Sequence, residues 1–597
     1  MFTTQTTHIS EAISDHVWRT RYGWCEPGRV PEPSIEAIFD RVALAVSGAE
    51  AHHRDDWRER FRAILSDFRF LPGGRILAGA GTSQHTTLLN CFVMGPLEDS
   101  INGIFNALRE TILTLQAGGG VGLDFSTLRP MGALAHASVG VASGPVSFMG
   151  TWEVASSVLA SNNLRRGAMM ATLRCDHPDI EAFIESKLVP GALSHVNLSV
   201  ALTDDFMRAV EQGSTWPLVF PLGQHPVPVG GEVCERVWSG DTTPQLCLVH
   251  RRIPARVLWD KLLAAQLASA EPGILFIDRI NRDNNLWYDE CIATTNPCGE
   301  VPLPPYGGCS LGSINLSRFV QDPFAAHPKV DWAGLKAVAA VATRFLDDVH
   351  DISWFALKAQ EKAVHASRRI GLGVTGLADM LLMLGLRYGS QASLDLTREV
   401  MSTIRDTAYF TSIETAKEKG AFPAFDKVKY GASPFVLGLS HELQDAIAQH
   451  GIRNSHLLAV APAGAISLLA NNVSSGIEPI FAVKATRVVR GVDGQTVTIE
   501  VEDAAVRHYR KLHGAKAALP AQLMTRDETS TDAQLRMMAQ VQTCVDNAIS
   551  KPVHLPPDAG PLDLELVVLQ AWELGLKGFA VYSAGRRGCE TVLAFQR

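Results

Sequence analysis

An α/β body of barrel-like form, preceded by a short helical region, is the fold predicted by three features of the sequence. Strand-like and helical segments alternate from about residue 70 onward, as they do where parallel strands are joined by crossover helices. The 597 residues are 46% hydrophobic and 19% charged, which supplies one large core. Ten or so strand–helix units follow one another with no internal repeat or low-complexity tract, which suits one large barrel better than several small domains.

The composition also excludes partners. A net charge of −8 gives no basic surface for nucleic acid. No apolar run reaches the roughly 18 residues of a membrane span, and the first residues lack the basic and apolar regions of a secretory signal. The ten cysteines contain no Cys-x-x-Cys pair, which argues against a zinc ribbon or a disulfide scaffold and suits a reducing cytoplasm. No metal site is expected: Asp176 and His177 have no third ligand in view and read as a structural turn.

Residues 1–70 read as helices, with apolar positions of Ile35 to Val46 at helical spacing. Residues 71–583 form the barrel-like body, beginning at Leu71-Pro72-Gly73-Gly74, and 584–597 a short tail. Leu88 to Met94 reads as a buried strand that opens with Asn90 and Cys91. A helix follows, with Asp99 as its N-cap. Gly118-Gly119-Gly120 suggests a dinucleotide loop, but the Gly-x-Gly-x-x-Gly spacing fails at Leu123 and Phe125, and a tight turn into a strand is the better reading. Residues 134–145 read as a loop and 151–163 as a helix. A strand ending at Leu202 leads into a helix capped by Thr203. Later helices are expected over 332–349 and 396–419, with strand–turn–helix units at 371 and 456. The polar segment of about 484–530 reads as a surface excursion.

The chemistry concentrates in Asn296-Pro297-Cys298-Gly299-Glu300. If this stretch is extended, Asn296, Cys298 and Glu300 point the same way, an amide, a thiol and a carboxylate on one spot. A lone cysteine is usually a buried apolar residue. Here the amide, the carboxylate and a second cysteine, Cys309 in Gly307-Gly308-Cys309-Ser310-Leu311-Gly312, weigh against that.

These two stretches closely resemble the finger-loop region of ribonucleotide reductase catalytic chains, above all the adenosylcobalamin-dependent class II. Four stretches match in order between about residues 70 and 583. The resemblance implies a ten-stranded α/β barrel with a central finger loop. It implies that Cys298 carries a thiyl radical that takes the 3′ hydrogen of the ribose, that Glu300 takes the 3′-OH proton, and that Asn296 bonds the sugar hydroxyls. It assigns Cys91 and Cys309 as the dithiol that supplies two electrons. Asn90, Gly308 and the run Pro462, Ala463, Gly464, Ala465, Ile466 and Ser467 would bind the substrate, the run through its phosphates. A deoxynucleoside triphosphate or ATP effector would bind at a homodimer interface near Asp99, Ser100 and the loop 134–145, with a second loop carrying Arg165 and Arg166.

The resemblance also bears on the radical source. Class I chains carry two adjacent tyrosines where this chain has Ala580 and Val581. Tyr582 to Glu590 does not resemble the glycyl-radical loop of class III. Adenosylcobalamin remains, bound without an Asp-x-His-x-x-Gly motif. The competing readings are a class I-type large subunit and an inactive nucleotide-binding paralogue. Relatives often end in a cysteine pair, whereas Cys589 stands alone here, so an external dithiol reductant is expected. Diphosphates are the expected substrates.

Overall fold

The structure is a computed structural model that describes residues 7, 9–26, 31–133, 141–160, 168–189, 191–223, 229–490 and 496–583. Helices Ala12–Val17, Ile35–Val46 and Arg54–Leu65 come first. Ile35, Ile38, Phe39, Val42 and Val46 are buried at helical spacing, and Ser34 caps their helix by accepting from the Ala37 N–H. This layer packs on the long helix Trp332–Ile352, with Phe345 edge-on to both Phe61 and Phe70 at 5.2 and 5.5 Å between centroids.

A buried ion pair fastens the layer. Arg344 donates to both oxygens of Glu50 at 2.6 and 2.8 Å, and Lys419 donates to Glu50 at 3.1 Å. Burial alone would raise Glu50, but these donors outweigh it and hold the carboxyl down at about 2. Removing one partner strands buried charge, so Glu50→Ala is expected to lower stability at neutral pH by about 3–5 kcal/mol. Because the folded pKa lies below the unfolded one, the stabilisation is present above the unfolded value and is lost as pH falls toward the folded one. Denaturant melts of wild type and variant should therefore converge in acid. A gap that stays constant down to acid pH would contradict this.

Ten staves close a ring. Five are parallel: Cys91–Val93, Gly120–Asp124, Met169–Arg174, Val196–Leu202 and Gly273–Phe276. Five more are parallel among themselves. Gly308–Asn315 pairs with Ile370–Thr375, single bridges carry the ring from Leu372 to Leu458 and from Val460 to Ile549, and Val553–Leu555 pairs with Val581–Ser583. Two antiparallel seams join the halves, Cys309 opposite Cys91 and Gly578 opposite Leu275. The inner strands read as continuous buried runs, as parallel strands covered on both sides do. Among the described residues no helix is long and apolar enough to cross a membrane.

Three local expectations need correction. The cap of helix Ile101–Gln116 is Ser100, which accepts from Gly103 N–H at 3.0 Å, whereas Asp99 is taken by Arg129 at 2.7 Å. The next helix runs Gly144–Ala160, starting within the expected loop, because Pro145 in a first turn needs no N–H partner. The remainder of that loop, 134–140, lies outside the described residues, as does the tail 584–597. The 484–530 segment is more than surface. Its strands Lys484–Arg490 and Thr496–Glu502 form a hairpin leading to helix Ala504–His513, whose Ala505 and Val506 are fully buried. Thr203 does cap helix Asp204–Glu211, accepting from Phe206 N–H at 3.2 Å.

Candidate active site

A loop enters the barrel between the short antiparallel strands Thr294–Thr295 and Pro302–Leu303. It is a tight turn, so the extended arrangement expected for residues 296–300 does not form. Gly299 adopts φ +89°, which suits glycine, and its N–H donates to the Asn296 carbonyl at 3.1 Å. The Asn296 side-chain oxygen accepts from Val301 N–H at 2.9 Å, an Asn-Pro turn closed by its own side chain. Asn296 and Glu300 therefore fold back into the base of the loop, and Cys298 stands at the tip.

Close approach needs absent side chains. A Cβ on Gly122 would lie 1.8 Å from the Thr295 carbonyl oxygen, and one on Gly120 would lie 3.1 Å from Pro297. The glycine-rich stretch is the tight turn into a strand expected of it, and its glycines make room for the loop. Three further groups hold it, none apparent in the sequence. Thr172 and Thr294 hydroxyls meet at 2.6 Å, Asn197 donates to the Pro297 carbonyl at 3.3 Å, and Arg369 donates to the Pro302 carbonyl. Ala548 N–H donates to the Glu300 carbonyl at 2.9 Å, tying the loop to the other half of the barrel.

The turn gathers four of the expected residues. The Asn296 amide donates to Cys91 Sγ at 3.0 Å, and the Cys91 thiol donates to Glu300 Oε1 at 3.6 Å. Cys309 is the cross-strand partner of Cys91 in a hydrogen-bonded pair, which puts their Cα atoms about 5.5 Å apart, within reach of a disulfide. Both are free thiols. Glu300 Oε2 is buried with no hydrogen-bond partner. Asn90 and Gly308 flank this pair within the seam. The Asn90 carbonyl accepts from Gly120 N–H at 2.8 Å, and Gly308 packs beneath Phe92.

Cys298 lines a cavity of about 930 Å³, and it lies close enough to Glu300 and Cys91 to interact with both electrostatically. Pro462, Gly464, Ala465 and Ser467 share that cavity, with Ala463 and Ile466 buried behind them. Helix Gly464–Leu469 begins there. Ala580, Val581 and Tyr582 line another wall, and the 484–502 hairpin contributes Ala485 and Val501.

Of the expected effector residues, Asp99 and Ser100 serve the helix start described above, and Arg165 and Arg166 lie outside the described residues. Asp176 is paired with Arg174 at 2.8 Å, and His177 bonds the Leu128 carbonyl at 2.9 Å, so both are structural. Cys175 is fully buried.

The electrostatics favour protonated thiols. Burial, then the charge of Glu300, pushes Cys91 well above the usual thiol range, and burial does the same to Cys309. Cys298 is exposed only to the cavity within the barrel, so the surrounding protein and then Glu300 raise it in the same direction. A thiolate nucleophile needs the opposite shift. These sulfurs keep their hydrogens, which suits hydrogen-atom transfer and two-electron dithiol chemistry. Burial also raises Glu300, so the carboxyl can carry or release a proton at milder pH than an exposed glutamate.

Residues 89–582 match the ribonucleotide reductase barrel-domain family, and residues 11–85 match the ribonucleotide reductase all-alpha domain. The chain is 37% identical to a vitamin B12-dependent ribonucleoside-diphosphate reductase of Mycobacterium tuberculosis, over 94% of this chain and 77% of that one. It is 34% identical to a protein of the same description from Thermoplasma acidophilum, over 95% and 70%. A ribonucleoside-diphosphate reductase large subunit of vaccinia virus is 28% identical over 73% and 58%.

Proposed function

The chain belongs to the ribonucleotide reductase large-subunit family, and we propose that it is a class II member that reduces ribonucleoside diphosphates with adenosylcobalamin. The observation that carries this reading is Cys298, exposed at the loop tip to an open cavity whose wall holds Ala580 and Val581. A tyrosine pair, as class I chains carry, would stand at those two positions. The relatives named as vitamin B12-dependent, similar over nearly the whole chain, support it.

The residues present fit the cofactor. The cavity is roomy, its walls near Cys298 are small or apolar (Pro297, Gly299, Ala465), and Ala580 leaves space open to it. Leu188, Phe481, His554, Ala580 and Tyr582 are the lining residues that would hold it. When bound, adenosylcobalamin supplies a one-electron oxidising equivalent from its cobalt–carbon bond.

The chain's residues do the rest. Cys298, once it has given up its hydrogen atom, takes the ribose 3′ hydrogen and returns it to the 3′ carbon after the 2′ position is reduced. Glu300 accepts the 3′-OH proton, and the Asn296 amide orients the sugar hydroxyls. As the 2′-OH leaves as water, Cys91 and Cys309 supply two electrons and two protons and close to a disulfide. A rigid loop, pinned to both barrel halves, keeps the reacting atoms in place. The Pro462–Ser467 turn faces the same cavity and would take the phosphates. An external dithiol reopens the disulfide.

The chain works as a homodimer in the cytoplasm. Ile101 and Phe105 on one helix, and Val154 and Val158 on another, are 51–64% exposed and form an apolar face of the kind subunits bury. The dNTP or ATP effector binds near that face, beside Asp99 and Ser100. Residues 1–70 are the N-terminal helical region and 71–583 the catalytic barrel.

Turnover of a 3′-deuterated ribonucleoside diphosphate tests the reading. The wild type should form 2′-deoxyribonucleoside diphosphate and slow with the label. Cys309→Ser should still cleave the 3′ C–H bond but stop multiple turnovers. Sustained turnover by Cys309→Ser with dithiothreitol would remove the dithiol assignment, and nucleotide binding without any 2′ reduction would remove the enzyme reading.

A further inference from the structure

Outside the barrel, Thr215–Pro221, Val233–Val237 and Pro244–Pro254 form a three-stranded antiparallel sheet. In it Cys234 stands directly opposite Cys247. Two residues along, Val249 N–H donates to the Glu232 carbonyl at 2.9 Å. By the alternation of an antiparallel ladder, Cys234 and Cys247 are then a hydrogen-bonded pair, with Cα atoms about 5.5 Å apart and side chains on one face. Disulfides are commonest at about that separation. Cys91 and Cys309 stand in the same relation, since Val93 N–H donates to the Gly307 carbonyl at 3.0 Å, two residues from that pair.

Both cysteines are free thiols with unequal access. Cys247 is buried against Val219 and Trp238, and Cys234 is half-buried at the sheet surface. The sheet touches the barrel: the Trp238 indole donates to the Ser126 carbonyl at 3.1 Å, and Arg174 lies 4.8 Å over the Trp238 ring.

We propose that Cys234 and Cys247 are a second redox-active dithiol, which reacts with small-molecule disulfides and closes independently of the barrel pair. Cys234 as thiolate attacks one sulfur of the small disulfide, its S–S bond breaks, and one thiol leaves with the proton Cys234 lost. Cys247 then attacks the Cys234 sulfur, expelling the second thiol with the second proton. The two cysteines lose two electrons and the small disulfide gains them. Burial pushes the Cys247 thiol up, so closure quickens as pH rises.

The test uses the full chain and glutathione disulfide, followed by alkylation and trypsin. Cleavage after Arg236 puts the two cysteines in different peptides. Wild type, and Cys91→Ser alike, should yield the Cys234 and Cys247 peptides joined by a disulfide. Cys247→Ser, which should turn over normally with dithiothreitol, should instead carry glutathione on Cys234. Recovery of Cys234 and Cys247 as free thiols after treatment, or each with its own glutathione, would overturn the proposal. So would a joined pair that disappears in Cys91→Ser.

Discussion

Cys298→Ser should remove turnover, by about 10⁴-fold or more, the scale on which losing a residue that does the chemistry lowers kcat. The substitution keeps the size of the side chain and sits at an exposed loop tip, so the fold should not change. What goes is the weak S–H bond, the one group at the tip that can give up and regain a hydrogen atom. Asn296, Glu300, Cys91 and Cys309 remain joined beneath it. Nucleotide binding should therefore persist while label at the 3′ carbon is untouched. A kcat within about tenfold of wild type would mean that the reacting group lies elsewhere, since a tenfold loss is only about 1.4 kcal/mol of activation barrier.

Gly122→Ala is expected to have the next largest effect, although residue 122 carries no chemistry. Its strand is regular and tolerates alanine, but the new Cβ would meet the Thr295 carbonyl oxygen at 1.8 Å. Something must move, and the loop stem is what it meets. A displacement of about 1 Å at the reacting atoms costs about 100-fold in rate. The variant should bind nucleotide, melt at a lower temperature and turn over about 100-fold or more slowly. Gly431→Ala, where a Cβ meets nothing within 4 Å, is the control and should be neutral. Wild-type kcat in Gly122→Ala would show that the loop is not held by this contact.

These two positions also mark what could be read from the sequence. Cys298 and Glu300 stand out by residue type within five positions, and the alternation of segments predicts an α/β barrel. The mutual geometry is not local. Extended alternation would aim Asn296, Cys298 and Glu300 together, yet the Asn-Pro start and the left-handed Gly299 make a turn that sends Cys298 to the tip and the other two to the base. The pairing of Cys91 with Cys309 arises at an antiparallel seam between two half-barrels, and nothing near either cysteine announces it. It was legible only through family resemblance. The glycines at 120 and 122 read as a turn into a strand, but what they make room for is not legible, because the backbone they accommodate comes far later in the chain. The ring itself closes through single bridges at Leu458, Val460 and Ile549, too short for a strand pattern to reveal.

The most direct test of the central claim is deoxynucleotide formation by the purified chain with a ribonucleoside diphosphate and dithiothreitol, measured with adenosylcobalamin and, separately, with a metal-loaded radical-generating subunit. Ala580 and Val581 offer no phenol to relay a radical from a second protein, whereas the open cavity brings a bound cofactor to the side of Cys298. Turnover is expected with adenosylcobalamin alone and none with the partner subunit. Turnover with the partner subunit in the absence of cobalamin would contradict this.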